Sequence, residues 1–380
     1  MTILFDARPL VDPLAGGVTR VALGLLPALT KTLNEHKLLF VTTGSQKQTL
    51  PVAPHEHLLI PNKLWSLFCW LGFTSLDRAF NKHKPDFLFL TNLGFVGRPR
   101  VPYALVIHDI SFLIEPRWFS LKSRLWHKAV HAKRLIKEAS VLFAVSQRTK
   151  DDLIHHLNIP VEKVTVIPIT PCHSPDVHRG NPSDPPSIES LHSSLANRRF
   201  VLVLGAADPR KNAACAITAV RELQKKSEFH DVVLVLVGAD PGVRVGQTSG
   251  NGQTHGSAPT TIFLDHPSDA ELSTLMRHAS VFLYPSWYEG FGLPLHEAAA
   301  FGTPCIASTA GALPETAPQG TLFAPPAKPH LWVEALEKIL TNPGQHRTSS
   351  TIRDWTEASE LISSEINRLL RNSNVSKLSL

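Results

Sequence analysis

No apolar run in this 380-residue chain approaches the roughly 18 to 20 residues that a bilayer-spanning helix needs, so no transmembrane segment is expected. The opening MTILFDARPL carries an acid where a secretory leader would have a basic start and a long apolar core. It reads as a first strand, and a cytoplasmic protein is expected. Cysteine is scarce: Cys69, Cys172, Cys215 and Cys305 lie far apart with no C-x-x-C pair, which fits reduced, buried thiols. Nucleic-acid motifs are missing too, and the aromatics do not alternate with basic residues. What remains, 43% apolar and 18% charged, describes a folded chain long enough for two or three domains.

Charge is unevenly spread. Residues 1–170 carry 21 Lys and Arg against 12 Asp and Glu, a balance of +9, whereas the remainder carries 17 against 20. A basic first half points to an anionic partner, for which an anionic lipid surface or a phosphorylated acceptor fits better than nucleic acid. A merely solvated basic face is the plain alternative.

The most informative stretch is Val281 to Gly302, VFLYPSWYEGFGLPLHEAAAFG. An apolar run reads as a buried strand, a Gly-containing turn follows, and a helix begins near Pro294, where a first-turn proline is tolerated. Gly290 and Gly292 allow close approach of the backbone, and the amides at the helix start favour an anion such as phosphate. Two carboxylates frame this geometry. Glu297 lies within the helix, placed to accept hydrogen bonds from a ribose diol, and Glu289 in the turn faces whatever hangs from the far phosphate. A strand-turn-helix with two surface glutamates is the plain reading.

Glu289-Gly290-Phe291-Gly292-Leu293-Pro294 with Glu297 beyond, followed by AAAFGTPCIAS, resembles the signature of the retaining glycosyltransferases of family 4. The resemblance extends over about residues 3–372. It implies an α/β chain of the GT-B fold: two Rossmann-like domains facing across a cleft, with a C-terminal helix crossing back to the first. The expected division is an acceptor-binding domain over 1–170, a linker over 171–197, a nucleotide-sugar domain over 198–350 and the returning helix over 351–380, anchored by Trp355.

Other segments carry the resemblance further. Gly16, Gly17, Val18 and Arg20 match a glycine loop that borders donor and acceptor. His108-Asp109, at the end of the YALVI strand, matches a segment whose histidine contacts the transferred sugar and whose aspartate lines the acceptor side. Read without the family, His-Asp could belong to a metal phosphohydrolase, but further ligands cannot be assembled. His127 and His131, spaced i and i+4 in a helix expected over 121–139, lack a third ligand. After the RFVLVL strand, Arg210 and Lys211 stand just before a helix. Fixed cations there would stabilise a departing nucleoside diphosphate, and the lysine matches the family's diphosphate contact. Many relatives also carry an arginine right after the strand glycine; Ala206 stands there, and Arg210 is the candidate substitute.

The resemblance thus implies glycosyl transfer with retention. His108, Arg210, Lys211 and Glu289 are its catalytic candidates, Asp109 faces the acceptor, and the donor meets Gly16, Gly17, Gly290, Phe291, Gly292, Leu293 and Glu297. No Asp-x-Asp sequence and no evident nucleophile occur, so no metal or other cofactor is expected. The donor is a nucleotide sugar, with GDP-mannose the guess, and the acceptor a glycan or a polyprenyl-diphosphate-linked glycan in surface polysaccharide assembly. A GT-B-type epimerase and a binding protein with a decayed site are the alternatives. Residues 63–84, rich in aromatics and flanked by Lys63, Arg78, Lys82 and Lys84, read as either an interfacial membrane helix or a core helix with its aromatics inward, the latter preferred. Peripheral contact with the inner membrane face is the corresponding expectation. Residues 171–197 and 242–261 read as a linker and a surface insertion.

Overall fold

The computed structural model describes residues 1–11, 16–47, 49–170, 186–238, 261–350 and 354–378. Two compact units divide them: residues 1–172 with 353–380, and residues 173–352.

Unit 1 runs β1 (Thr2–Asp6), α1 (Gly17–Thr32), β2 (Lys37–Gly44), β3 (His55–Leu59), α2 (Asn62–Trp70), α3 (Leu76–Ala79), β4 (Phe87–Leu90), β5 (Tyr103–Ile107), α4 (Ser111–Ile114), α5 (Leu121–Ala129), α6 (Ala132–Glu138), β6 (Val141–Ala144), α7 (Gln147–Leu157) and β7 (Val164–Val166). Its parallel sheet has the order β3-β2-β1-β4-β5-β6-β7. Strands such as FLFL and YALVI are buried throughout, because helices cover both faces of a parallel sheet.

Unit 2 continues with α8 (Ile188–Leu191), β8 (Phe200–Leu204), α9 (Ala213–Gln224), β9 (Val233–Val237), β10 (Thr261–Leu264), α10 (Asp269–His278), β11 (Val281–Tyr284), α11 (Leu293–Ala300), β12 (Cys305–Ser308), α12 (Leu313–Thr316), β13 (Leu322–Ala324) and α13 (Pro329–Thr341). The order β10-β9-β8-β11-β12-β13 is again doubly wound. In such sheets the strand order reverses at one point, and a crevice opens there at the carboxyl ends of the strands. The reversal falls between β1 and β4 in unit 1 and between β8 and β11 in unit 2.

The last helix, α14 (Thr356–Leu378), belongs to unit 1 and packs on α1. Gly24 makes this packing possible: a Cβ there would lie 2.0 Å from the Trp355 Nε1. Trp355 is accordingly buried against the bare backbone of α1.

Three sequence expectations change. The helix over 121–139 is two helices, α5 and α6, because His131 takes a left-handed φ of 55° between them; His127 and His131 therefore do not share a helix face. Of the 63–84 aromatics, Trp65 is buried, but Trp70 and Phe73 are 52% and 68% exposed, so the preferred inward-facing reading fails for most of the stretch. Residues 186–197 are not featureless: α8 buries Ile188, and a short 3-10 turn buries Leu195. The remainder of the linker, the insertion over 242–260 and Cys172 lie outside the described residues; Cys69, Cys215 and Cys305 are buried free thiols, each pushed up to about 12 by burial.

Candidate active site

In unit 2, β8 ends at Gly205, whose φ of +70° turns the chain away from the sheet. A 3-10 turn, Pro209–Lys211, then delivers Lys211 across the sheet's reversal point toward β11. The Lys211 Nζ donates to Glu289 Oε1 at 2.6 Å and to the Tyr284 hydroxyl at 2.7 Å. Burial opposes charge on the lysine, yet the Glu289 carboxylate outweighs it and holds the ammonium above its ordinary range. Tyr284 is pushed up as well, by burial and then by the same carboxylate. A charged lysine and a carboxylate thus face each other where β8 and β11 diverge.

Neighbouring residues fix this pair. Asn212, in a left-handed conformation, donates its Nδ2 to the carbonyls of Pro285 (3.1 Å) and Pro326 (3.0 Å). The Trp287 amide donates to the Arg210 carbonyl at 2.7 Å, so the two loops are joined through the backbone. Gly311 lies flat against Glu289: a Cβ there would be 2.5 Å from the Glu289 amide nitrogen, and the Ala312 amide donates to the Glu289 carbonyl at 2.9 Å. Arg210 is differently placed. Its guanidinium is held by Asp208, at 2.8 Å from Nη2 and 3.2 Å from Nε, so much of its charge is already answered.

The turn after Glu289 leads into α11. Gly292 is its N-cap at φ +97°, and a Cβ there would come within 2.6 Å of Leu313, so both backbone and space demand glycine. Proline at the second helical position removes one amide that would have no partner, and the first-turn amides around it point out of the helix end. Gly290 and Leu293 are buried in this turn, Phe291 stacks on His296 with centroids 5.0 Å apart, and Glu297 is buried in the second turn. Lys211 thus meets Glu289 directly, and the Gly290–Leu293 turn and Glu297 follow Glu289 along the chain into α11.

In unit 1, the corresponding reversal holds a cavity of about 560 Å³, bordered by Asp6 and Arg8 after β1, by Gly16 and Gly17 at the start of α1, and by Trp65 and Asn92. Arg8 forks onto Asp6 through Nε (2.7 Å) and Nη2 (2.6 Å), and its Nη1 donates to the Phe95 carbonyl at 2.7 Å. The Trp65 indole N–H donates to that same carbonyl at 2.7 Å. His108 stands one strand further along, at the end of β5. Its Nε2 donates to the Thr91 carbonyl at 3.0 Å, leaving Nδ1 as an acceptor, and burial keeps the ring below its ordinary pKa and neutral. The Asp109 Oδ1 accepts from the Ser111 amide (2.9 Å) and hydroxyl (2.6 Å), turning the chain into α4.

Sequence reasoning did not single out Asp208, Tyr284, Asn212 or Gly311, nor Asp6 and Arg8. Only Asp208 had a readable signal, since Asp-Pro commonly opens a turn. Among the described residues, no group of three or more His, Cys, Asp or Glu is gathered as a metal site would be.

Two family descriptions match the chain: "Glycosyl transferases group 1" over residues 189–357 and "Glycosyltransferase Family 4" over residues 15–169. The chain belongs to glycosyltransferase family 4. It is similar to the O-antigen chain mannosyltransferase B of Escherichia coli, 27% identical over 58% of this chain and 56% of that protein. It is also similar to the MMP alpha-(1->4)-mannosyltransferase of Mycolicibacterium hassiacum, 29% identical over 60% of this chain and 53% of the relative. The match thus spans little more than half the length of these curated relatives. Among solved structures, sucrose-phosphate synthase from Thermosynechococcus elongatus superposes with a TM-score of 0.64 at 20% identity, covering 99% of this family 4 chain and 100% of the other. That likeness gives the GT-B fold.

Proposed function

We propose that this chain transfers a hexose, with retention, from a nucleotide diphosphate sugar to a glycan or polyprenyl-diphosphate-linked acceptor in surface polysaccharide assembly. The observation that carries the reading is the Lys211–Glu289 pair at the reversal point of the unit 2 sheet, beside the amide-bearing start of α11. The donor's diphosphate lies on those amides and Lys211, and Glu297 holds the ribose. Charge that develops on the leaving diphosphate is met by a lysine that stays protonated because Glu289 is its neighbour. Arg210 plays a smaller part, since Asp208 already answers it.

Glu289 and the neutral His108 orient the sugar, and Gly16, Gly17 and Asp109 serve the donor and acceptor sides of unit 1. No side chain is assigned as a nucleophile. The acceptor attacks the face from which the diphosphate leaves, and the leaving phosphate takes the acceptor's proton. Mannose from GDP-mannose is the donor assignment, supported by the two similar mannosyltransferases. Unit 1 meets the anionic face of the cytoplasmic membrane. Supporting this are its basic balance and the exposed Leu67, Phe68, Trp70, Leu71 and Phe73. No helix among the described residues is long and apolar enough to cross a membrane.

The test is a thermal-shift panel of GDP-, UDP-, TDP- and ADP-sugars with and without EDTA, run on the natural chain and on Glu297→Ala. Stabilisation by one nucleotide family, unaffected by EDTA and weakened in Glu297→Ala, is the expected result. A chain that none of the four stabilises would not be a sugar-nucleotide enzyme. Isomerised sugar from donor alone would point instead to an epimerase.

A further inference from the structure

Unit 1 contains a second cavity, of about 480 Å³, within the size range of small-ligand pockets. Arg78, Arg98, Arg100 and Arg134 line it, and Trp70 and Gly72 form part of its border. Four guanidinium groups around one hollow repel each other unless an anion lies between them. The acids nearby supply it only in part: Glu138 pairs with Arg98 and Arg134, and among the described residues Arg78 and Arg100 have no carboxylate partner. That single carboxylate is shared loosely, 3.7 Å from Arg98 Nη2 and 4.0 Å from Arg134 Nε, and makes a good hydrogen bond to neither. Asp77 is occupied on both oxygens, by the Ser75 hydroxyl at 2.6 Å and the Arg100 amide at 2.8 Å. The Arg134 Nε is buried and has no hydrogen-bond partner, although its Nη2 reaches the Gly97 carbonyl at 3.3 Å. His131 is discouraged from adding a further positive charge, because burial and then Arg134 hold its ring below the ordinary histidine range.

The hollow is built rather than incidental. Gly97, at φ +72°, presses its backbone onto residues 74 and 75, where a Cβ would lie 2.2 Å from the Thr74 carbonyl oxygen. The Leu76 amide donates to the Val96 carbonyl at 2.9 Å. These contacts fix the segment bearing Arg98 and Arg100 against the one bearing Arg78. At one rim the chain leaves α2 through Trp70-Leu71-Gly72-Phe73, and Trp70, Leu71 and Phe73 are all exposed. Cations lining a hollow beside a solvent-facing apolar corner match the two ends of one kind of molecule.

We infer that this cavity receives the phosphate headgroup of an anionic phospholipid while the Trp70–Phe73 corner enters the acyl boundary. Guanidinium forks grip phosphate oxygens in pairs, which lysines cannot do. The apolar corner commits the site to a lipid, since a free phosphate gains nothing from it. The inference rests on the reading that unit 1 meets the membrane, and it adds a defined site to what could be diffuse attraction.

The experiment is flotation of the full chain with vesicles of phosphatidylcholine alone or with 30 mol% phosphatidylglycerol, in roughly 0.1 M salt. Binding that needs phosphatidylglycerol is expected. Arg78→Ala with Arg100→Ala should weaken it by roughly 30-fold, from about a five- to sixfold loss for each of two basic residues near an anionic surface. Arg78→Lys with Arg100→Lys keeps the charge, and a loss of several-fold there marks a fork-built site. Undiminished binding by the lysine variant would overturn the site and leave only diffuse attraction. No binding by the natural chain would overturn both the site and the membrane reading. Stabilisation by inorganic phosphate alone, without vesicle binding, would make it a free-anion site and overturn the lipid assignment. Melting temperature and donor-induced thermal shift, measured on the same variants, should match the natural chain. Those two readouts show that the fold and the sugar-nucleotide site are intact, and they separate failure here from failure of the transferase reading.

Discussion

Replacing Lys211 by methionine leaves Glu289, 7% exposed, without the ammonium that stands 2.6 Å from its Oε1. Breaking a buried ion pair from one side costs about 3 to 5 kcal/mol, because a carboxylate stays desolvated and unanswered. Here the lower end applies. The lysine and glutamate side chains keep 17% and 9% of their exposure, and the Tyr284 hydroxyl can turn to the carboxylate. At roughly 2 to 4 °C per kcal/mol for a unit of this size, about 3 kcal/mol lowers the melting point of unit 2 by about 6 to 12 °C. Turnover should fall by ~10²-fold or more if the cation meets charge on the leaving diphosphate. Stability and turnover are then separated by adding Glu289→Gln to the same chain. The double variant no longer buries an orphan charge and should regain most of the lost stability, while turnover stays low. The assays are thermal melting and release of nucleoside diphosphate at saturating donor. A double variant as unstable as Lys211→Met, or a Lys211→Met chain that turns over normally, would refute the reasoning.

Gly311→Ala should cost about 2 kcal/mol or more and weaken donor binding, since φ is +62° and the new Cβ meets the Glu289 backbone at 2.5 and 2.6 Å; Gly344→Ala, with nothing within 4 Å, is the matched control and should be nearly neutral by thermal melting. Trp355→Ala should cost about 3 to 5 kcal/mol by opening a void over Gly24, and faster amide exchange in α14 should accompany it; unchanged exchange would mean the helix is held elsewhere. Acid should destabilise the fold through His108 and His296, both held below the ordinary histidine range chiefly by burial. Unfolded, each takes up a proton near 6.5, so their contribution is complete above that pH and is lost as pH falls through the lower folded values. The melting point should therefore drop between about pH 7 and 5, and less so in His108→Gln with His296→Gln, whereas a flat profile in the natural chain would contradict the burial argument.

Much of this protein can be read along the chain because the physics involved is local. Continuous apolar runs such as VVLVLV and YALVI signal strands covered on both faces. Gly292, Pro294 and the following alanines mark the start of α11, and Ser268 with Glu271 forms the capping box that opens α10. Ladder order, by contrast, is a long-range property. Only the folded chain sets β8 beside β11, and so brings Lys211 to Glu289 across 78 residues of sequence. The same holds for Gly24 beneath Trp355 and Gly311 beneath Glu289, where the absent Cβ matters only because a distant segment occupies its place. Burial was decided at that level too. The aromatics of α2 carry one composition, yet Trp65 finds the Phe95 carbonyl in the interior while Trp70 faces solvent. Sequence by itself determined the elements and the residue types at the turn, since propensity and backbone sterics act over a few residues. Tertiary structure alone decided which charges answer one another and which gather around one hollow, because electrostatic pairing depends on distances that only packing sets.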